Sequence, residues 1–149
     1  MKVLVVYDSV YGNTEQIARA IGGAITGDVK VLPARETEPA ELLGIDLLIA
    51  GAPTQGGRPT PPMQNFLKKV SPPDIQDLKI ATFDTRISAR WVGIFGYAAG
   101  RIAKSLKKKG SILIKDPQPF FVEGTEGPLK EGELERAATW ALEVINSLK

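Results

Sequence analysis

The sequence predicts an α/β fold, a parallel β-sheet with helices on both faces. Three observations carry this. Short runs of apolar, β-branched residues recur along the chain, beginning with Val3-Leu4-Val5-Val6-Tyr7. Segments with helical spacing of apolar residues stand between them. The junction of the first run and the first helical segment is a short polar loop containing glycine, Asp8-Ser9-Val10-Tyr11-Gly12-Asn13-Thr14. Strands alternating with helices imply crossover connections and therefore parallel strands.

Each element has its own signal. Lys2–Tyr7 is a near-continuous apolar run, as expected of a strand buried on both faces. Over 13–25, Ile17, Ala18, Ile21, Ala24 and Ile25 form one helical stripe. Val29–Leu32 is a short second strand, Pro39–Leu43 a single helical turn, and Leu47–Gly51 a third strand. Met63, Phe66, Leu67 and Val70 mark a helix that Ser71-Pro72-Pro73 closes. Lys79–Phe83 is the fourth strand. Ala99, Ile102, Ala103 and Leu106 mark the next helix, ended by Lys107-Lys108-Lys109-Gly110. Ile112–Ile114 begins the fifth strand, which can resume at Phe120–Val122 after Pro117-Gln118-Pro119. Leu134, Ala138, Ala141, Ile145 and Leu148 give the last helix, where Trp140 reads as packing.

The length of 149 residues, without a repeat or a shift in composition, suits one domain with a real core. There is no cysteine and no histidine. That excludes disulfides, thiolate nucleophiles, Cys/His zinc sites and a Ser-His-Asp triad. Demanding chemistry then calls for a cofactor or rests on carboxylates, hydroxyls and lysines. No run of about 18 apolar residues is present, so no membrane span is expected. The N-terminus lacks the pattern of a signal peptide, so a cytoplasmic protein is expected. A net charge of +2 does not point to nucleic acid.

Parallel sheets bind ligands at the carboxyl ends of their strands, near the switch in strand order. The loops after strands one, three and four are therefore the places to look. In the first, a helix start offers unpaired N–H groups and the positive end of the dipole. Ser9, Asn13 and Thr14 add short donors, and Gly12 permits close approach. On the residues alone two readings stand side by side. Either the loop holds a phosphate, or Ser9 and Asn13 cap the helix, Asn13 forming a capping box with Gln16. Neither the Walker A pattern nor G-x-G-x-x-G is present.

Ser9-x-Tyr11-Gly12-Asn13-Thr14 after an apolar first strand resembles the [ST]-x-[ST]-G-N-T phosphate loop of flavodoxins, with Tyr11 where that pattern has Thr or Ser. The tail from Phe120 to Ala137 is similar to the endings of compact bacterial flavodoxin-domain proteins. The resemblance covers nearly the whole chain and implies a short-chain, flavodoxin-like sandwich of five parallel strands in the order 2-1-3-4-5. Flavodoxins are themselves a standard example of the switch-point rule, with flavin mononucleotide (FMN) at the strand-one/strand-three switch.

Carried onto this chain, the resemblance places FMN against Ser9, Val10, Tyr11, Gly12, Asn13 and Thr14. The loop after strand three adds Pro53, Thr54, Gln55 and Gly56, with Gln55 where an aromatic residue often stands. The loop after strand four adds Asp84, Thr85, Arg86 and Trp91, the last as the outer aromatic stacker. The implied function is that of a monomeric carrier passing single electrons between redox partner proteins. Two alternatives remain on this reading. One is an FMN-dependent oxidoreductase of quinone reductase or heme-pathway oxidase type. The other is a flavodoxin-fold module that has lost FMN. Flavodoxins are typically acidic and this chain is not. Arg58, Arg86 and Arg90 fall in the two ring loops, where they raise the flavin potential, grip an acidic substrate or partner, or pair with nearby acids such as Asp84 and Asp74.

Overall fold

The computed structural model describes residues 1–88 and 96–148. Six strands form its sheet: β1 (Lys2–Tyr7), β2 (Asp28–Pro33), β3 (Leu47–Pro53), β4 (Lys79–Ile87), β5 (Ile112–Leu113) and β6 (Gln118–Val122). The helices are α1 (Asn13–Ala24), α2 (Pro61–Lys69), α3 (Pro72–Ile75), α4 (Ala98–Lys108) and α5 (Glu133–Ser147). The strand order is β2-β1-β3-β4-β5 and every pairing between these strands is parallel.

The fifth strand is interrupted, as the prolines suggest. β5 pairs with the start of β4 at Lys79 and Ile80, and β6 with its end from Phe83 to Ile87. Pro117 and Pro119 flank the break, and proline removes the N–H that a continuous ladder requires. The chain therefore bends away and returns to the same edge.

Strand alternation divides the apolar residues between two cores. Val3, Val5, Tyr7, Leu47, Ile49, Ala81 and Phe83 face α1 and α5. Leu4, Val6, Leu48, Ala50 and Ile80 face α2 and α4. A strand buried on both faces needs apolar residues at both parities, which accounts for the unbroken run in β1. The α1 stripe of Ile17, Ala18 and Ile21 packs with Ala137, Trp140, Ala141 and Val144 of α5. Phe83, Phe120 and Trp140 meet edge to face, with ring centroids 6.0 to 6.2 Å apart. Trp140 is thus a packing residue, as expected.

Two local readings change. Ser71-Pro72-Pro73 ends α2 and also opens α3. Ser71 caps its first turn, with Asp74 Oδ2 accepting from the Ser71 N–H and hydroxyl at 2.8 Å. β4 runs on past Phe83 to Ile87, so Asp84, Thr85 and Arg86 lie in a strand and not in a loop. Their polar character hid the extension, because the ladder with β3 and β6 compensates for it.

Gly51 stands opposite Phe83 in register. A Cβ there meets the Phe83 ring at 2.3 Å, and the ring is fully buried. Gly51→Ala is therefore expected to lower unfolding free energy by about 1–3 kcal/mol through overpacking. Urea denaturation checks this, and Phe83→Leu in the same chain should restore part of the loss.

Glu133 ties the start of α5 to β6. Its carboxylate accepts the Phe121 N–H at 2.7 Å and pairs with Arg136 at 2.8 Å. Burial works to raise its pKa, but the Arg136 and Phe121 hydrogen bonds outweigh it and hold the group below 4.5, the ordinary glutamate value. A carboxylate depressed in the folded state stabilises the fold above its unfolded pKa, and that contribution is lost as pH falls through the folded value. Stability should fall with acid below about pH 4.5. The fall should be shallower in Glu133→Gln, measured as urea midpoints across that range.

Candidate functional site

The carboxyl ends of β1, β3, β4 and β6 surround a pocket of about 300 Å³. It lies where the connection from β1 goes to one side of the sheet and that from β3 to the other, the geometry that opens a crevice.

α1 begins at its floor. Gly12 is the N-cap residue with φ 96°, a left-handed conformation that costs little only for glycine. No side chain caps the helix, and the first intrahelical bond runs from the Gln16 N–H to the Gly12 carbonyl at 3.1 Å. The N–H groups of the opening turn therefore point beyond the helix end with its positive dipole. The capping-box reading of Asn13 is overturned. Asn13 is the first helical residue and is buried, and its Nδ2 donates to the Glu126 carbonyl at 3.2 Å. Ser9 Oγ accepts the Gly12 N–H at 3.0 Å, closing the loop and leaving the hydroxyl proton able to donate elsewhere. Val10 and Tyr11 are half exposed at the rim.

Thr14 is buried, and its Oγ1 lies 2.8 Å from Thr85 Oγ1. Two hydroxyls share one hydrogen bond here, so one further proton is available to a third group. Thr85 also accepts, through its carbonyl, the Thr54 N–H at 3.0 Å. Thr54 Oγ1 in turn accepts the Ala98 N–H at 2.9 Å, tying the loop after β3 to the start of α4.

That loop is a tight hairpin. Gln55 and Arg58 exchange both backbone hydrogen bonds, at 2.8 and 3.0 Å. Gly56 and Gly57 between them have φ 57° and 79°, which two-residue hairpins of type I′ require. Pro53, Thr54, Gln55 and Gly56 line the pocket from this side.

Asp84 does not reach the pocket. It is fully buried beneath it, accepting the Ala99 N–H at 3.0 Å and binding Arg86 by two hydrogen bonds of 2.8 and 2.6 Å. Arg86 does line the pocket, and its guanidinium carbon lies 3.3 Å from the centre of the Tyr97 ring. The pairing of Arg86 with Asp84 is the last of the three roles open to the loop arginines. Arg90 and Trp91 lie outside the described residues.

The structure thus brings together Ser9, Val10, Tyr11, Asn13, Thr14, the β3 loop, Thr85 and Arg86, with Gly12 directly behind. It adds Ile87, Val122 and Thr125, which the sequence reading missed. For the last two a signal was present, since Glu123-Gly124-Thr125-Glu126-Gly127 is a polar, glycine-containing turn at the end of a strand. The lining holds hydroxyls, amides and one arginine and, among the described residues, no carboxylate. This donor set suits a ligand with an anionic end and hydrogen-bonding edges.

The flavodoxin family model matches residues 5–140. The chain belongs to the flavodoxin family. Among solved structures it is similar to a flavodoxin from the domain Archaea, at 24% identity and TM-score 0.81, covering 99% of both chains. It is also similar to oxidised flavodoxin 1 from Bacillus cereus, at 20% identity and TM-score 0.80, covering 98% of both. The match to rubredoxin oxygen:oxidoreductase from Desulfovibrio gigas, at 19% identity and TM-score 0.77, covers 99% of this chain and 36% of that longer one. No curated protein matches. As a flavodoxin, the chain has the family's strand order and implies a flavin cofactor and electron transfer to redox partners. No helix among the described residues is long and apolar enough to cross a membrane.

Proposed function

We propose that this flavodoxin binds FMN non-covalently in the pocket and carries single electrons between redox partner proteins. The observation that carries the reading is the uncapped start of α1 facing a pocket with Ser9 and Thr14 hydroxyls and no carboxylate among its described lining. Such a site favours a phosphate over a neutral group. On this reading Ser9 to Thr14 hold the phosphate, with Gly12 shaping the loop. Pro53 to Gly56 hold one side of the flavin ring, Thr85 and Arg86 border it, and Trp91 stacks on its outer face. Asp84 acts from beneath, by fixing Arg86 and the start of α4. When bound, the flavin supplies the one-electron chemistry, and the chain supplies position and electrostatics. A cytoplasmic, monomeric carrier fits this role.

The test is a titration of flavin-free protein with FMN and, separately, riboflavin, read by flavin fluorescence and absorbance. Tight FMN binding with quenched fluorescence and much weaker riboflavin binding is expected. Binding of neither flavin would overturn the reading and favour a module that has lost its cofactor.

Arg86 also sets an expectation for the potential. Arg86→Gln removes a positive charge at the pocket wall and leaves the buried Asp84 carboxylate without its partner. Both changes disfavour an anionic reduced flavin. The midpoint potential of the loaded protein should fall, and Asp84→Asn in the same chain should return it toward the starting value. An unchanged potential would leave Arg86 with a structural role alone.

A further inference from the structure

The long helices α2 and α4 differ in charge from α1 and α5, although Glu36, Glu38, Glu41 and Asp74 stand on shorter segments of the α2/α4 side. Every charged residue of α2 and α4 is a cation: Lys68 and Lys69 in α2, and Arg101, Lys104, Lys107 and Lys108 in α4. The layer on the other side is mixed, with Glu15 and Arg19 in α1 and Glu133, Glu135, Arg136 and Glu143 in α5. A chain of net charge +2 therefore clusters six cations along two neighbouring helices.

Between α2 and α4 runs a groove of about 350 Å³. Arg58, Lys68, Arg101 and Lys109 border it, Leu67 and Pro59 are apolar residues within it, and among the described residues no carboxylate lines it. Lys109 bridges the helices by donating from Nζ to the Leu67 and Val70 carbonyls at the end of α2. Arg101 Nε donates to the Gly57 carbonyl at 2.7 Å and fixes the hairpin to α4. Lys69 pairs with Glu38. Arg58, Lys68, Lys104, Lys107 and Lys108 are exposed and form no salt bridge among the described residues.

The groove adjoins the candidate site. Gln55 and Gly56 line the site, while Arg58 and Pro59, at the other arm of the same hairpin, line the groove. A protein seated on the Arg58 end of the groove therefore also lies against the loop proposed to hold the flavin.

We infer that the α2/α4 face is the docking surface for an acidic redox partner, whose carboxylates meet Arg58 and Lys68 at the groove and Lys104, Lys107 and Lys108 on the adjoining flank of α4, beside Leu113 and Pro117. The inference rests on the electron-carrier reading and names the partner's chemistry. Steering works through this cluster, since a local excess of cations turns an oppositely charged partner toward it before contact. Leu67 and Pro59, themselves buried, form an apolar floor beneath the charged rim of the groove. A nucleic acid is less well matched, because among the described residues no aromatic side chain lines the groove for base stacking.

The test uses the full chain, with and without FMN, and a fluorescein-labelled oligo-glutamate peptide as the acidic probe. At about 10 mM ionic strength, where screening extends over about 30 Å, the peptide should bind, and binding should weaken steeply toward 0.15 M. Its amide shift changes should map to Gln64, Ser105 and Gly57 and spare α1 and α5. Lys68→Glu with Lys104→Glu should weaken binding by about tenfold or more while leaving FMN affinity unchanged. Absence of binding, shifts on the α1/α5 layer, or indifference to charge reversal overturns the inference. So does tighter binding of a short DNA duplex or of phosphatidylserine vesicles to the same face, which would assign it to another polyanion. Failure of the FMN titration alone overturns the carrier reading and is recorded separately from the peptide result.

Discussion

Ser9→Ala combined with Thr14→Val is expected to weaken FMN binding by about 3–6 kcal/mol, a factor of roughly a hundred to ten thousand. The argument follows the protons. Ser9 Oγ already accepts the Gly12 N–H, so its own hydrogen is the one it has to give. Thr14 and Thr85 share one hydrogen bond between two hydroxyls, which leaves one hydrogen for a ligand oxygen. Hydrogen bonds to a charged acceptor contribute about 1.5–3 kcal/mol each. The two sites are close, so the sum need not be additive. Riboflavin separates the effect from general damage. Lacking the phosphate, it should bind the double variant about as well as the parent, and fluorescence titration with both ligands measures the difference. Equal weakening for FMN and riboflavin would place the phosphate elsewhere.

Trp140→Ala is expected to destabilise the fold by about 3–5 kcal/mol, the cost of deleting a large buried aromatic side chain. Trp140 joins Phe83 of β4 to Phe120 of β6 through two edge-to-face contacts. Those strands are paired with each other, Thr85 standing opposite Phe120. The vacated volume therefore lies directly under the pocket wall. Trp140→Phe should cost much less, about 1.5 kcal/mol or below. It keeps an aromatic edge for both partners and removes an indole N–H that is buried without an acceptor. Such an orphan donor carries its own penalty, which partly offsets the smaller ring. Urea midpoints for the two variants check the ranking, and a larger loss for phenylalanine would contradict it.

Much of the architecture was legible because its causes are local. The unbroken apolar run of β1 demands two buried faces, and the structure supplies a core on each. The stripe of Ile17, Ala18 and Ile21 reports a helix with one inward face. Gly12 marks the point where a strand must turn into a helix with its N–H groups exposed. Proline around Gln118 announces the break in the fifth strand before it is seen.

What stayed hidden depends on partners distant in sequence. Asp84, Thr85 and Arg86 look like loop residues because strands rarely bury a carboxylate. Only the paired arginine and the Ala99 N–H make that burial tolerable. Asn13 has the local chemistry of a cap, yet its amide turns to Glu126, which the fold brings back from 113 residues away. The tail turn that completes the pocket arrives by the same return of the chain.

Periodicity and turn chemistry act between near neighbours, so they carried the fold class, while the strand order came with the family resemblance. Only folding shows which polar groups meet across the pocket and sets Lys68 of α2 beside Arg101 and Lys109 along one groove. Those outcomes depend on which strands and helices lie side by side, and adjacency in the folded chain is not written in any single segment.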